Sequence, residues 1–240
     1  MVSSSLTRTG YAWSTLSALT AAIAALGFYM PYWLKGELTL HQQTIPAYFN
    51  SFRRCNYPGT IQPTSYESFK QVIITKCGRY ATFDDIPTLW WKITTIVVGI
   101  GASLTIFTAI ITLSACCTRD VITRTTARII GIFQILAAMF ICVGCLMYPL
   151  GWGNKEAKEA CGRQAGPYSL GNIRFNSSCS LIQSLSITGK CKIGYAYCIL
   201  LIDTLLLFAC AVLSTTAAKK FDWNRLNAKE PTSSSASVTL

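Results

Sequence analysis

Histidine occurs once among the 240 residues, at His41, and Asp, Glu, Lys and Arg together supply only 13% of the chain. A histidine-based triad or metal cluster would rest on that one side chain, and the cysteines lack the short paired spacings of zinc sites. No glycine-rich phosphate loop is present. The sequence therefore carries no catalytic arrangement and no metal or cofactor set, and it reads as a non-enzyme. The shortage of charge excludes more, because soluble domains typically carry about 25% charged residues.

The charges that are present leave informative gaps. Between Arg8 and Lys35, Lys92 and Arg119, Arg128 and Lys155, and Lys192 and Lys219 lie four windows of 26 residues, and only the last holds a charge, Asp203. Crossing roughly 30 Å of hydrocarbon takes about 20 apolar residues. Four transmembrane helices are expected, at about 11–33, 90–117, 129–150 and 193–217. The first begins after Arg8 and contains Ala22-Ile23-Ala24, which resembles a signal-peptide cleavage site. Its apolar run continues to Trp33, far longer than a signal core, so it is read as a retained span. The fold class is an all-α membrane protein, a four-helix transmembrane bundle with a small extracellular β-sheet. It forms one tetraspan domain over residues 1–230, and 219–240 is a cytoplasmic tail ending in a disordered Ser-rich stretch.

Two long loops separate the spans, at about 34–89 and 151–192. The first is too long for a plain connection. Leu38-Thr39-Leu40 and Val72-Ile73-Ile74-Thr75 have the alternating or β-branched character of strands, so a small sheet is expected there. Pro31 and Trp33, Pro87 with Trp90 and Trp91, and Pro149 with Trp152 mark helix ends at headgroup depth, where an indole buries its ring and wets its N–H. Gly99 and Gly101 supply a close-packing notch in the second helix. The third follows after about ten residues, as an antiparallel neighbour.

Five of the eleven cysteines lie in the long loops, beside the sequon at Asn176. Cysteines and a glycosylation site together fit an oxidising compartment, which puts the loops outside and both termini in the cytoplasm of a multi-pass plasma-membrane protein. The simplest pairing joins Cys55 to Cys77, closing about 23 residues for roughly 3 kcal/mol. Cys161, Cys179 and Cys191 offer three pairings with one thiol left over, and spacing does not choose among them. The long loops are basic, seven Lys or Arg, counting Lys92 at the edge of the first, against four acids, and six against two. On the outer side of a membrane that excess fits acidic protein faces or anionic glycans as well as plain solubility, and no nucleic acid.

Three further features are read with their blander alternatives. Asp203, deep in the fourth span, is an intramembrane acid; a hydrogen bond to Ser or Thr of the first helix accounts for it better than a proton path, since no other span holds a charge. Cys116 and Cys117 at the inner end of the second helix are candidates for palmitoylation, or two small apolar residues. Val238 and Leu240 give the C-terminus the form of a PDZ ligand, a pattern that a free tail also reaches by chance.

Several blocks carry a family resemblance: Phe28-Tyr29-Met30-Pro31-Tyr32-Trp33-Leu34, Phe52-Arg53-Arg54-Cys55-Asn56-Tyr57-Pro58, Cys77-Gly78-Arg79-Tyr80-Ala81-Thr82-Phe83, Tyr148-Pro149-Leu150-Gly151-Trp152, and Lys190-Cys191-Lys192-Ile193-Gly194-Tyr195-Ala196-Tyr197. They resemble the lipoma HMGIC fusion partner-like (LHFP-like) tetraspans, nearest the founding branch, over about Thr7 to Ala218. The resemblance implies a claudin-like bundle, disulfides Cys55 to Cys77 and Cys161 to Cys191, and a non-enzymatic auxiliary subunit. Relatives accompany a mechanotransduction channel or a synaptic receptor for GABA. The implied partners are the lipid bilayer and an integral membrane channel, receptor or adhesion protein. The alternative is a claudin-like junction or adhesion protein; of the claudin Gly-Leu-Trp block only Trp33 remains. The chain departs from the family between Gly171 and Gly189, an apparent insertion that holds Asn176 and Cys179.

Overall fold

The chain folds, in a computed structural model that describes residues 8–40, 43–61, 70–117, 124–170 and 191–228, around four long apolar helices. They are α1 (Arg8–Tyr29), α2 (Leu89–Cys117), α3 (Arg124–Met147) and α5 (Tyr195–Ala228). Stretches of all four are long and apolar enough to cross a membrane: Arg8–Tyr29, Leu89–Ser114, Thr125–Gly153 and Tyr195–Ala217. α1 packs against α2 and α5, and α3 against the same two, so the helices form a ring.

Small residues fill the seams. Ala21, Ala24, Ala102, Ala137, Ala138 and Ala211 are all buried, which lets backbones approach where the lipid tails supply no hydrophobic drive. The two glycines expected to share a notch face different ways. A Cβ on Gly101 would lie 3.1 Å from the Ala137 carbonyl oxygen, inside the α2–α3 seam, whereas one on Gly99 would only touch the Phe28 ring, at 3.4 Å.

Charge-free windows locate membrane crossings but not helix ends, and the helix bounds differ accordingly. α3 begins five residues before the expected 129, and α5 runs to Ala228 rather than 217, into the stretch expected as a tail. Ala217-Ala218-Lys219-Lys220 are good helix formers, so nothing local stops the helix at the end of the apolar run. α1 ends at Tyr29, short of the expected 33, because Pro31 and the turn after it release the chain into the sheet.

Among the described residues the sheet has five strands in the order β4-β3-β2-β1-β7. β1 (Leu34–Leu40), β2 (Gln43–Phe49), β3 (Arg53–Ile61) and β4 (Lys70–Arg79) lie between α1 and α2, and β7 (Lys192–Ile193) precedes α5. All pairings are antiparallel. Leu34, Gly36 and Leu38 of β1 and Ala47 and Phe49 of β2 are buried, while Lys35, Glu37 and Thr39 are exposed, the alternation of a sheet covered on one face. A 3₁₀ turn (Tyr148–Gly153), a short helix α4 (Lys155–Cys161) and the hairpin β5 (Ala165–Gly166) and β6 (Ser169–Leu170) follow α3. α4 packs over β1.

Candidate functional site

The sheet is fixed to the bundle by aromatic rings whose sequence role was read as interfacial. Trp33 and Trp91 are fully buried. The Trp33 indole donates to the Gly27 carbonyl at 2.7 Å and the Trp91 indole to the Tyr148 carbonyl at 3.3 Å, so neither N–H reaches water. Both rings pack on Tyr148, with centroids at 5.0 and 5.4 Å. The Tyr148 hydroxyl donates to the Phe49 carbonyl of β2, and that of Tyr197 to the Cys145 carbonyl of α3. Trp152 is buried as well. The expectation of wetted indoles is thus corrected for Trp33, Trp91 and Trp152: the covering sheet takes the place of the headgroup region. Trp90, 41% exposed, keeps an outward position.

A polar junction joins β3, β4 and α4. Arg54 pairs with Glu156, and the hydroxyl of Tyr80 donates to the second Glu156 oxygen at 2.6 Å. The guanidinium also lies over the rings of Tyr57 and Tyr80, at 4.0 and 4.6 Å. Burial, and then the carboxylate beside it, push the Tyr80 phenol far above its ordinary range. Asn50 anchors the β2–β3 turn. Its amide donates to the carbonyls of Phe28 and Met30, and its oxygen accepts from the amides of Phe52 and Arg53. Arg54, Tyr57 and Tyr80 lie in blocks that carry the family resemblance, but nothing in the sequence joined them to Glu156 or marked Asn50. One signal was legible: Asn154, whose side chain caps α4 by accepting from the Ala157 amide at 2.7 Å, stands two residues before Glu156, and Gly162 at φ 107° stops the helix.

The structure joins Cys55 to Cys77 across β3 and β4, and Cys161 to Cys191 between the end of α4 and the residue before β7. Cys198, in the first turn of α5, is disulfide-bonded too, although it lies outside the loops in which pairing was expected. His41, Asn176, Cys179, Val238 and Leu240 lie outside the described residues, and Cys116 and Cys117 are placed only as the last two residues of α2.

Asp203 is fully buried, and among the described residues neither carboxyl oxygen has a hydrogen-bond partner. The expected bond to a hydroxyl of the first helix is not made, because those hydroxyls are engaged elsewhere. Ser14 donates to the Thr112 carbonyl, Thr20 to the Ser17 carbonyl, and Ser17 to the Trp13 carbonyl while accepting from Gln134. The Gln134 oxygen in turn accepts from the Trp13 indole at 3.2 Å. A lone amide in an apolar run was the available signal for this interhelical link.

On the lipid-facing side, Phe28, Thr95, Ile96, Gly99, Ile100, Ser103, Leu104 and Phe107 line an open groove of about 690 Å³ between α1 and α2. The Ser103 hydroxyl is turned back onto the Gly99 carbonyl at 2.8 Å, which leaves the groove wall apolar.

The family model for Lipoma HMGIC fusion partner-like protein matches residues 9–188. The LHFPL tetraspan subfamily member 2a protein of Danio rerio is 30% identical over 142 residues, 59% of this chain and 55% of that protein. The LHFPL tetraspan subfamily member 2 protein of Homo sapiens is 25% identical over 218 residues, 85% of each. The member 4 protein of Mus musculus is 25% identical over 168 residues, 68% of this chain and 60% of that protein. The chain therefore spans little more than half the length of the Danio rerio relative and most of the human one. With that match across residues 9–188, four apolar spans and the sheet between the first two, the chain belongs to the lipoma HMGIC fusion partner-like family of tetraspan membrane proteins.

Proposed function

We propose that this chain is a non-enzymatic auxiliary and assembly subunit of an integral membrane channel, receptor or adhesion complex. The observation that carries this reading is the groove between α1 and α2. Small residues in membrane helices are placed where another helix comes close. Gly99 and Ser103, one turn apart, lie instead on the outside of this bundle, flanked by exposed Ile96, Ile100 and Phe107. The notch fits a transmembrane helix of a partner in the same membrane. The disulfides Cys55–Cys77 and Cys161–Cys191 at the sheet end support a plasma-membrane protein with the sheet outside and both termini in the cytoplasm, because such bonds persist in oxidising compartments. A junction or adhesion role would use the sheet alone and leave the groove to lipid.

Affinity purification in mild detergent, followed by mass spectrometry, tests the proposal against Gly99→Leu. Because a Cβ on Gly99 meets only the Phe28 ring, that substitution fills the notch and stays clear of the α2–α3 seam. Recovery of an integral membrane partner with the wild type and its loss with Gly99→Leu is the expected result. An unchanged partner set with Gly99→Leu, or cell aggregation with no lateral partner, overturns it.

A further inference from the structure

Four cations share the exposed face of the sheet. Directly opposed residues of an antiparallel pair lie on one face, as do residues two apart along a strand. Lys35 is opposite both Tyr48 and Lys192, Tyr48 is opposite Cys55, and Cys55 is opposite Cys77. Arg53 and Arg79 stand two residues from those cysteines and oppose each other. This face thus holds two like-charge pairs, an arrangement that destabilises a sheet when nothing neutralises it. Among the described residues none of the four is in an ion pair. The acid that shares this face on β1, Glu37, is exposed two residues beyond Lys35.

Tyrosines set the depth of these charges. The Arg53 guanidinium lies 4.1 Å over the ring of Tyr29, the last residue of α1. Tyr32 meets Tyr48 edge-on at 5.0 Å and stacks on Tyr195, the first residue of α5, at 5.2 Å, and Lys35 lies 5.9 Å from the centre of the Tyr48 ring. Tyr29 and Tyr195 are 63% and 52% exposed at the ends of two spans, the position of an interfacial aromatic belt. Below them Leu26 and Ile202 present apolar surface at 56% and 50% exposure. The Arg53 Nε–H is shielded from water and has no acceptor among the described residues, and Nη1 makes only a long 3.5 Å bond to the Tyr29 carbonyl. The half-buried guanidinium is thus fixed over Tyr29 with no short hydrogen bond among the described residues, which leaves its outer N–H groups to take an oxyanion.

We propose that this face binds the phosphate of a membrane phospholipid headgroup. Arg53 makes the direct contact, Lys35, Lys192 and Arg79 supply the surrounding positive field, and the acyl chains lie along the outer surface of α1 and α5. An acidic protein segment would meet the same charge, but it would have no use for cations stacked at the depth of the helix ends or for the apolar strip beneath them.

The test follows the thermal-unfolding midpoint of the purified full chain in neutral detergent during titration with phosphatidylglycerol. Parallel titrations use diacylglycerol of the same chains, inorganic phosphate and polyglutamate. The expected result is a saturable rise with phosphatidylglycerol that the other three do not reproduce. Arg53→Gln should raise the half-saturating concentration about tenfold, the loss of one charge-assisted contact, while Lys155→Gln on α4 leaves it unchanged. Lys35→Gln with Lys192→Gln, both exposed and in no ion pair among the described residues, should raise it less, and carries the test if Arg53→Gln does not fold. An equal rise with diacylglycerol, phosphate or polyglutamate overturns the proposal, as does a half-saturation point that none of these variants moves.

Discussion

Asp203 is the residue whose surroundings match its chemistry least. A buried carboxyl with both oxygens unpartnered costs free energy that a residue of similar size without polar atoms would not. If the acid is only a structural remnant, Asp203→Val should raise stability by about 1 to 3 kcal/mol and leave delivery to the cell surface unchanged. A stable variant that fails to reach the surface would instead assign Asp203 a role. The two neighbouring glycines of α2 make a second contrast at this scale. Gly101→Ala drives a methyl against the Ala137 carbonyl and Ile141 and should cost about 1 to 3 kcal/mol. Gly99→Ala meets only the Phe28 ring, and should be neutral or stabilising by up to about 1 kcal/mol. Thermal unfolding of the two variants in one detergent separates the seam from the groove.

Among the elements, the junction of β3, β4 and α4 depends on Glu156 serving two partners. Glu156→Gln leaves Arg54, at 24% side-chain exposure, without its counterion and should destabilise the sheet end by about 1 to 3 kcal/mol. Tyr80 adds a pH signature. Its folded pKa is raised, so its contribution is complete below the ordinary phenol value of about 10 and is lost as pH rises beyond it. Tyr80→Phe should flatten that alkaline decline, measured as unfolding midpoint against pH. The sheet was only half legible beforehand. Leu38-Thr39-Leu40 and Val72 to Thr75 fall within β1 and β4, but β2 and β3 hide behind Pro46, Pro58 and Gly59, which read as turns. Pairing explains how the prolines fit. β3 meets β2 only at Tyr48 and Phe49, so Pro46 lies where β2 is already an edge, and its carbonyl is taken by the Asn56 side chain at 2.6 Å. The register shift between Cys55 and Tyr57, with Asn56 at φ 55°, redirects the chain there. The spans were legible because charge is excluded from hydrocarbon. The pairings of the site's rings and carboxylates were not, since the partners lie 102 residues apart for Arg54 and Glu156 and farther still for Trp33 and Tyr197.

For the whole molecule the question is what holds a five-stranded sheet to a bundle that alone satisfies the membrane. The sheet has one covered face, and its fifth strand, β7, has only two residues. Its burial is too small to hold it without covalent help. Cys55–Cys77 crosses the centre-to-edge pair β3 and β4 beside the register shift, and Cys161–Cys191 ties the helix covering β1 to the segment that delivers β7. The two bonds therefore protect different sides of one sheet. With sequence separations of 22 and 30, each is worth roughly 3 kcal/mol in the chain-entropy model, and the loss of either should unfold the sheet end. Cys55→Ser and Cys77→Ser should each cause retention in the endoplasmic reticulum, and so should Cys161→Ser and Cys191→Ser. Within a pair the double variant should be no worse than either single, because the partner thiol has no further role once the bond is gone. Between pairs the loss should not add either, since one broken bond already exposes the sheet. Surface biotinylation of the four single variants, the two within-pair doubles and the cross-pair double Cys55→Ser with Cys161→Ser measures this. Normal delivery of Cys55→Ser would mean that the aromatic anchors around Tyr148 hold the sheet without the bond. A double variant much worse than its singles would mean that each cysteine acts outside the pair.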